Sequence, residues 1–210
     1  MTIFKITNQT NSDVITYITL GATEGCIHDV SKLIFSDSSI TIDEVAPLMG
    51  HFILKANSST EVSAGNLGLN GNVSFNTPPM NCKTQELPNG MNLAEFIINN
   101  GFQQYGQETI DNSCVAGANA LIEMSVDTDD WTSNWGKIPV TSFVNKKWDD
   151  NTGIVGVFPY GCDNCTSSNQ PPECVGVQPQ FANKEPICNV QRPANSNKGG
   201  TLEIKFLGFV

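Results

Sequence analysis

The chain has 210 residues and a formal net charge of −10, and only 15% of its residues are charged. A nucleic-acid backbone would be repelled, and no Lys/Arg cluster offsets that repulsion, so nucleic acid is excluded as a partner. No apolar run approaches the roughly 20 residues needed to cross a bilayer as a helix, so a transmembrane helix is excluded too.

Apolar residues make up 39% of the chain, enough for a packed core. The polar remainder is rich in Asn, Ser, Thr and Gln, with 18 Gly and 11 Pro. Asn favours turns over helix interiors because its side chain competes for nearby backbone groups. Many short strands joined by turns are expected.

Period-two alternation begins at once, over residues 2–7. No basic segment and no apolar helix precede it, so no signal peptide is read in the chain. Either the protein stays in the cytosol or in a virion, or the signal has been removed from a secreted chain. Strands are expected next at 14–20, 30–35, 39–44, 50–56, 61–69 and 72–76. Val14, Thr16 and Ile18 alternate with Ile15, Tyr17 and Thr19, the pattern of an antiparallel sheet with one wet face. His28 and His51 are the only histidines and are read as ordinary surface groups. The glycines from Gly65 to Gly71 lack the GK[ST] of a phosphate loop and read as a turn.

Residues 93–98 are short and rich in Phe and Ile, and read as strand. Further strands are expected at 108–113, 120–126, 139–144, 153–158 and 201–207. Past residue 127 the composition shifts: Trp131, Trp135, Trp148 and a cysteine cluster appear. The expected organisation is therefore a sandwich core of 1–126 and 196–210, with a loop-rich, cysteine-containing lobe over 127–195.

Of the seven cysteines, Cys162, Cys165, Cys174 and Cys188 share one stretch without periodicity. Such a stretch buries little apolar surface and needs a staple. Disulfides among these four are the first expectation; zinc and free thiols stay open, although a second close CxxC pair is missing. The odd count leaves one thiol unpaired or paired with another chain. The sequons at Asn8, Asn57, Asn72 and Asn164 are compatible with secretion.

The stretch Leu93-Ala94-Glu95-Phe96, followed by QYGQETIDNSCVAGANALIEMSV up to Val126, resembles the centre of thaumatin-like proteins. So do the first strand, Thr2 to Asn8, and the last, Thr201 to Phe209. The resemblance implies an all-β, antiparallel β-sandwich of thaumatin-like type, in which Glu95 and Asp111 face one acidic cleft. The chain departs from the family pattern in having far fewer cysteines. The disulfide that ties first strand to last is missing, its places held by Gln9 or Thr10 and Leu207. No Arg precedes Glu95, and Ala116 stands where a second Asp is usual.

The function the resemblance implies is that of a secreted β-glucan-binding protein of defence or cell walls, with Glu95 and Asp111 as carbohydrate contacts. Two alternatives accompany it. One is a structural subunit of a virion, coat or crystalline array, for which self-assembly is expected. The other is an endo-β-1,3-glucanase, a glycoside hydrolase built on two carboxylates. No catalytic residue, metal ligand or cofactor is assigned.

Overall fold

The computed structural model describes residues 1–43, 48–79, 91–101, 107–113, 119–133, 142–144, 189–193 and 198–209. In chain order the strands are β1 (Ile3–Asn8), β2 (Val14–Leu20), β3 (Ile34–Phe35), β4 (Thr41–Ile42), β5 (Met49–Leu54), β6 (Ser58–Ser63) and β7 (Leu69–Phe75). They continue with β8 (Leu93–Ile98), β9 (Gln107–Ser113), β10 (Ala120–Val126), β11 (Thr132–Ser133), β12 (Ser142–Val144), β13 (Asn189–Pro193) and β14 (Thr201–Phe209). One three-residue 3-10 turn, Val30–Lys32, is the only helical piece among the described residues.

The strands form two sheets. Sheet A has six strands in the order β12-β10-β14-β1-β6-β3; sheet B has eight in the order β11-β13-β9-β8-β7-β2-β5-β4. The fold is thus an all-β sandwich, as the alternation implied. One pairing within the sheets departs from the antiparallel rule. β1 and β14 run parallel in register from Ile3 opposite Thr201 to Asn8 opposite Phe206. Alternation reveals which face a strand buries, and it is the same whichever way the neighbour runs.

The core lies between the sheets. Sheet A contributes Phe4, Ile6, Ile122, Met124, Leu202, Ile204 and Phe206; sheet B contributes Ile18, Phe52, Val73, Phe75, Ala94, Phe96 and Ile110. Aromatic pairs join the two layers, with Phe4 and Phe96 centroids 4.5 Å apart and Phe75 and Phe206 4.7 Å apart. Buried amides bridge the layers as well. Asn112 Nδ2 donates to Ile122 O at 3.1 Å, and Asn92 bonds both the N–H and the carbonyl of Ala120.

Two expected strands take another form. The run 61–69 breaks at Gly65, whose φ of 64° suits a residue without a side chain, so β6 ends before the turn and β7 begins after it. The run 30–35 opens with a single 3-10 turn, because Asp29 accepts a bond from Ser31 N at 2.9 Å and caps it. The expected strand 153–158 lies outside the described residues.

Within 127–195, the described pieces join the sheets: β12 pairs with β10, β13 with β9, and β11 with β13. β13 carries Arg192, the sole arginine of the chain. Arg192 is 2% exposed, and its guanidinium bonds Glu108 at 2.5 Å, Thr2 Oγ1 at 2.6 Å and Asp130 at 3.2 Å. It also lies 4.7 Å above the buried Trp131 ring. Asn99 N donates to the same Glu108 at 2.8 Å. One buried cation therefore ties the start of β1 to β9, β13 and the 127–131 turn.

Candidate functional site

Strand periodicity decides which side chains reach the outer face of sheet B. In β8, Ala94, Phe96 and Ile98 point into the core, which turns Glu95 and Ile97 outward. In β9, Ile110 and Asn112 point inward and Thr109 and Asp111 outward. The register then sets Glu95 directly opposite Asp111. On its other side Glu95 faces Asn72 of β7, which faces Thr19 of β2. A polar row thus crosses four neighbouring strands of the sheet.

These residues line an open depression of about 440 Å³, together with Asn70, Thr109 and Thr23. Its floor needs a glycine in β7. A Cβ on Gly71 would lie 1.9 Å from Thr19 O, far inside contact distance, so no other residue fits there.

Burial raises the Glu95 carboxyl above the ordinary carboxylate range, and a hydrogen bond with Asp111 opposes that rise. Two carboxyl groups can bond to each other only if one carries a proton, so the pair holds a proton readily. The larger influence is the loss of water around Glu95. Thr19 Oγ1, Asn72 Oδ1 and Thr109 Oγ1, all in the lining, are enclosed and have no hydrogen-bond partner among the described residues.

The other sequence candidates fall elsewhere. Cys162, Cys165, Cys174 and Cys188 lie outside the described residues, as do Trp135 and Trp148. Cys26 is a free, buried thiol, which burial pushes up to about 11. Trp131 is a core residue under Arg192. His28 Nδ1 lies 3.2 Å from Gly21 O on an exposed turn. His51, read as an ordinary surface group, is instead half-buried and lies 2.9 Å from Asp43 Oδ1. No group of three or more His, Cys, Asp or Glu side chains clusters as metal ligands among the described residues. No helix among them is long and apolar enough to cross a membrane.

No family model and no curated protein matches the chain. Among solved structures, that of the thaumatin-like xylanase inhibitor TLXI is similar in overall shape, with a TM-score of 0.46 and 12% sequence identity over 97% of this chain and 98% of that one.

Proposed function

We propose that this protein binds polysaccharide, a β-glucan of cell walls, in the depression on sheet B, and that it works outside the cell. The observation that carries this reading is the Glu95–Asp111 pair, set opposite each other on one outer face amid amide and hydroxyl groups. A sugar is a dense array of groups that both donate and accept. Carboxyl groups and enclosed Thr and Asn oxygens are suitable partners for such a ligand, whereas a phosphate would meet negative charge.

Hydrolysis makes a demand on the spacing of the two carboxyl groups. Glycosidases of the two common classes hold their carboxyl groups about 5–5.5 Å or about 6.5–9.5 Å apart, leaving room for the sugar carbon or a water. Hydrolysis by the Glu95–Asp111 pair is the alternative that reducing-sugar release tests. The resemblance of the LAEF-to-Val126 stretch to thaumatin-like proteins supports β-glucan over other polymers.

The test is retention on insoluble β-1,3-glucan. The parent chain is expected to co-sediment, and the double variant Glu95→Gln with Asp111→Asn to remain in solution at an undiminished melting temperature. Equal retention of both proteins moves binding away from the Glu95–Asp111 pair, and a parent chain that stays in solution overturns the reading and favours a structural subunit. Release of reducing sugar by the parent, lost in the double variant, favours the glucanase.

A further inference from the structure

A second cluster lies on the same face of sheet B. Tyr17 of β2 stands opposite His51 of β5, with ring centroids 5.5 Å apart and planes tilted by 46°. His51 Nδ1 lies 2.9 Å from Asp43 Oδ1, and the Asp43 backbone N–H donates to Met49 O at 3.1 Å. A carboxylate oxygen accepts, so Nδ1 is the donor, which leaves Nε2 as the ring nitrogen turned away from Asp43. The ring is therefore held in one orientation by a group that is itself anchored. Asp43 Oδ2 is enclosed and has no partner among the described residues.

The placement relates this cluster to the depression. Tyr17 is two residues from Thr19 on one strand, so both point to the same face. Thr19 belongs to the polar row that leads through Asn72 to Glu95. From Tyr17 to Glu95 there are two strand spacings and two residues of rise, about 12 Å. That is too far for one sugar ring and within reach of a short oligosaccharide. Two of the three partnerless oxygens in the depression, those of Thr19 and Asn72, lie on this route. Beyond Tyr17 the face turns apolar, with Ile15 and Ile53 paired across the strands and 40% and 54% exposed.

We propose that Tyr17, His51 and Asp43 form a second saccharide contact, so that an oligosaccharide lies across the strands from Glu95–Asp111 to the Tyr17 ring. Tyr17 and the neighbouring isoleucines take the apolar face of a sugar ring, while His51 Nε2 and the Tyr17 hydroxyl meet its hydroxyl groups. Burial, together with the Asp43 charge, raises the Tyr17 hydroxyl above its ordinary range and keeps it a donor. This assignment rests on the polysaccharide reading given above.

Calorimetric titration with a β-1,3-linked glucose disaccharide and hexasaccharide tests it. In the parent the hexasaccharide is expected to bind more tightly than the disaccharide. Tyr17→Ala and His51→Ala are each expected to weaken the hexasaccharide about tenfold while changing the disaccharide less than about twofold. Tyr17→Phe, which keeps the ring, is expected to retain most of the gain. The Glu95→Gln, Asp111→Asn variant weakens both sugars. If Tyr17→Ala and His51→Ala bind the hexasaccharide like the parent while the double carboxyl variant does not, the second contact is wrong and the first site stands. If the folded parent binds neither sugar, both assignments fall.

Discussion

The two sheets share one core and differ on their outer faces. On sheet A charges alternate across the strands. Lys5 lies 3.2 Å from Glu203, and Lys205 lies 2.5 Å from Glu123 and 3.8 Å from Glu203. Burial works against ionisation of Glu203, yet the hydrogen bonds from Thr7 and Lys5 and the two lysine charges hold its carboxyl below the usual range. On sheet B the matching row has two acids bonded to each other, and several enclosed oxygens without a partner among the described residues. Among the described residues, the charges of sheet A pair with one another, whereas sheet B leaves enclosed oxygens unpartnered. A sheet face that costs stability to maintain is the better place to look for a ligand.

Arg192 is the point where the comparison breaks down, because its network crosses from β13 to the start of β1 and serves both sheets. Removing one member of a buried ion network costs about 3–5 kcal/mol, so Arg192→Ala is expected to lower the melting temperature by roughly 6–20 °C. A thermal melt followed by circular dichroism measures this. A drop under about 2 °C would show that the network is not the tie described here.

Lys205→Ala isolates sheet A. It leaves Glu123 and Glu203 without their shared cation, at a cost of about 1 kcal/mol, which corresponds to ~2–4 °C for a chain of this size. Glucan retention is expected to stay at the parent level. A loss of retention in this folded variant would move the binding face to sheet A.

The smallest effect sharpens the view of sheet B. Glu95 holds a proton more tightly in the folded chain than in the unfolded one. Its contribution is full below the unfolded value near ~4.3 and is lost as pH rises through the higher folded value. Glu95→Gln removes that loss. Its melting temperature is expected to exceed the parent's slightly at pH 7 and to converge with it near pH 4. A gap that widens on acidification would contradict the burial of Glu95.

Much of the fold was legible because burial on one face leaves a period of two. β1, β2, β8, β9, β10 and β14 all carry it, and the same rule turned Glu95 and Asp111 outward. The exact neighbours were not legible. Tyr17, His51 and Asp43 come from separate strands and a loop, and meet only through the β2–β5 register. Arg192 gave no local signal, since its partners are Thr2, Glu108, Thr128 and Asp130. Asp29 and Gly65 changed local structure through one cap and one positive φ, which hydrophobic periodicity does not register.

The parallel pairing of β1 with β14 has a consequence for the order of folding. β14 joins β1 to β10 in the middle of sheet A, and its residues are nearly 200 positions away from those of β1. Until residues 201–209 have been synthesised, β1 and β10 each present an open edge. Closing so long a loop comes late and slows the search for the native pairing. The nascent chain is thus most exposed to wrong partners just before β14 arrives, the stage at which shielding during synthesis protects it.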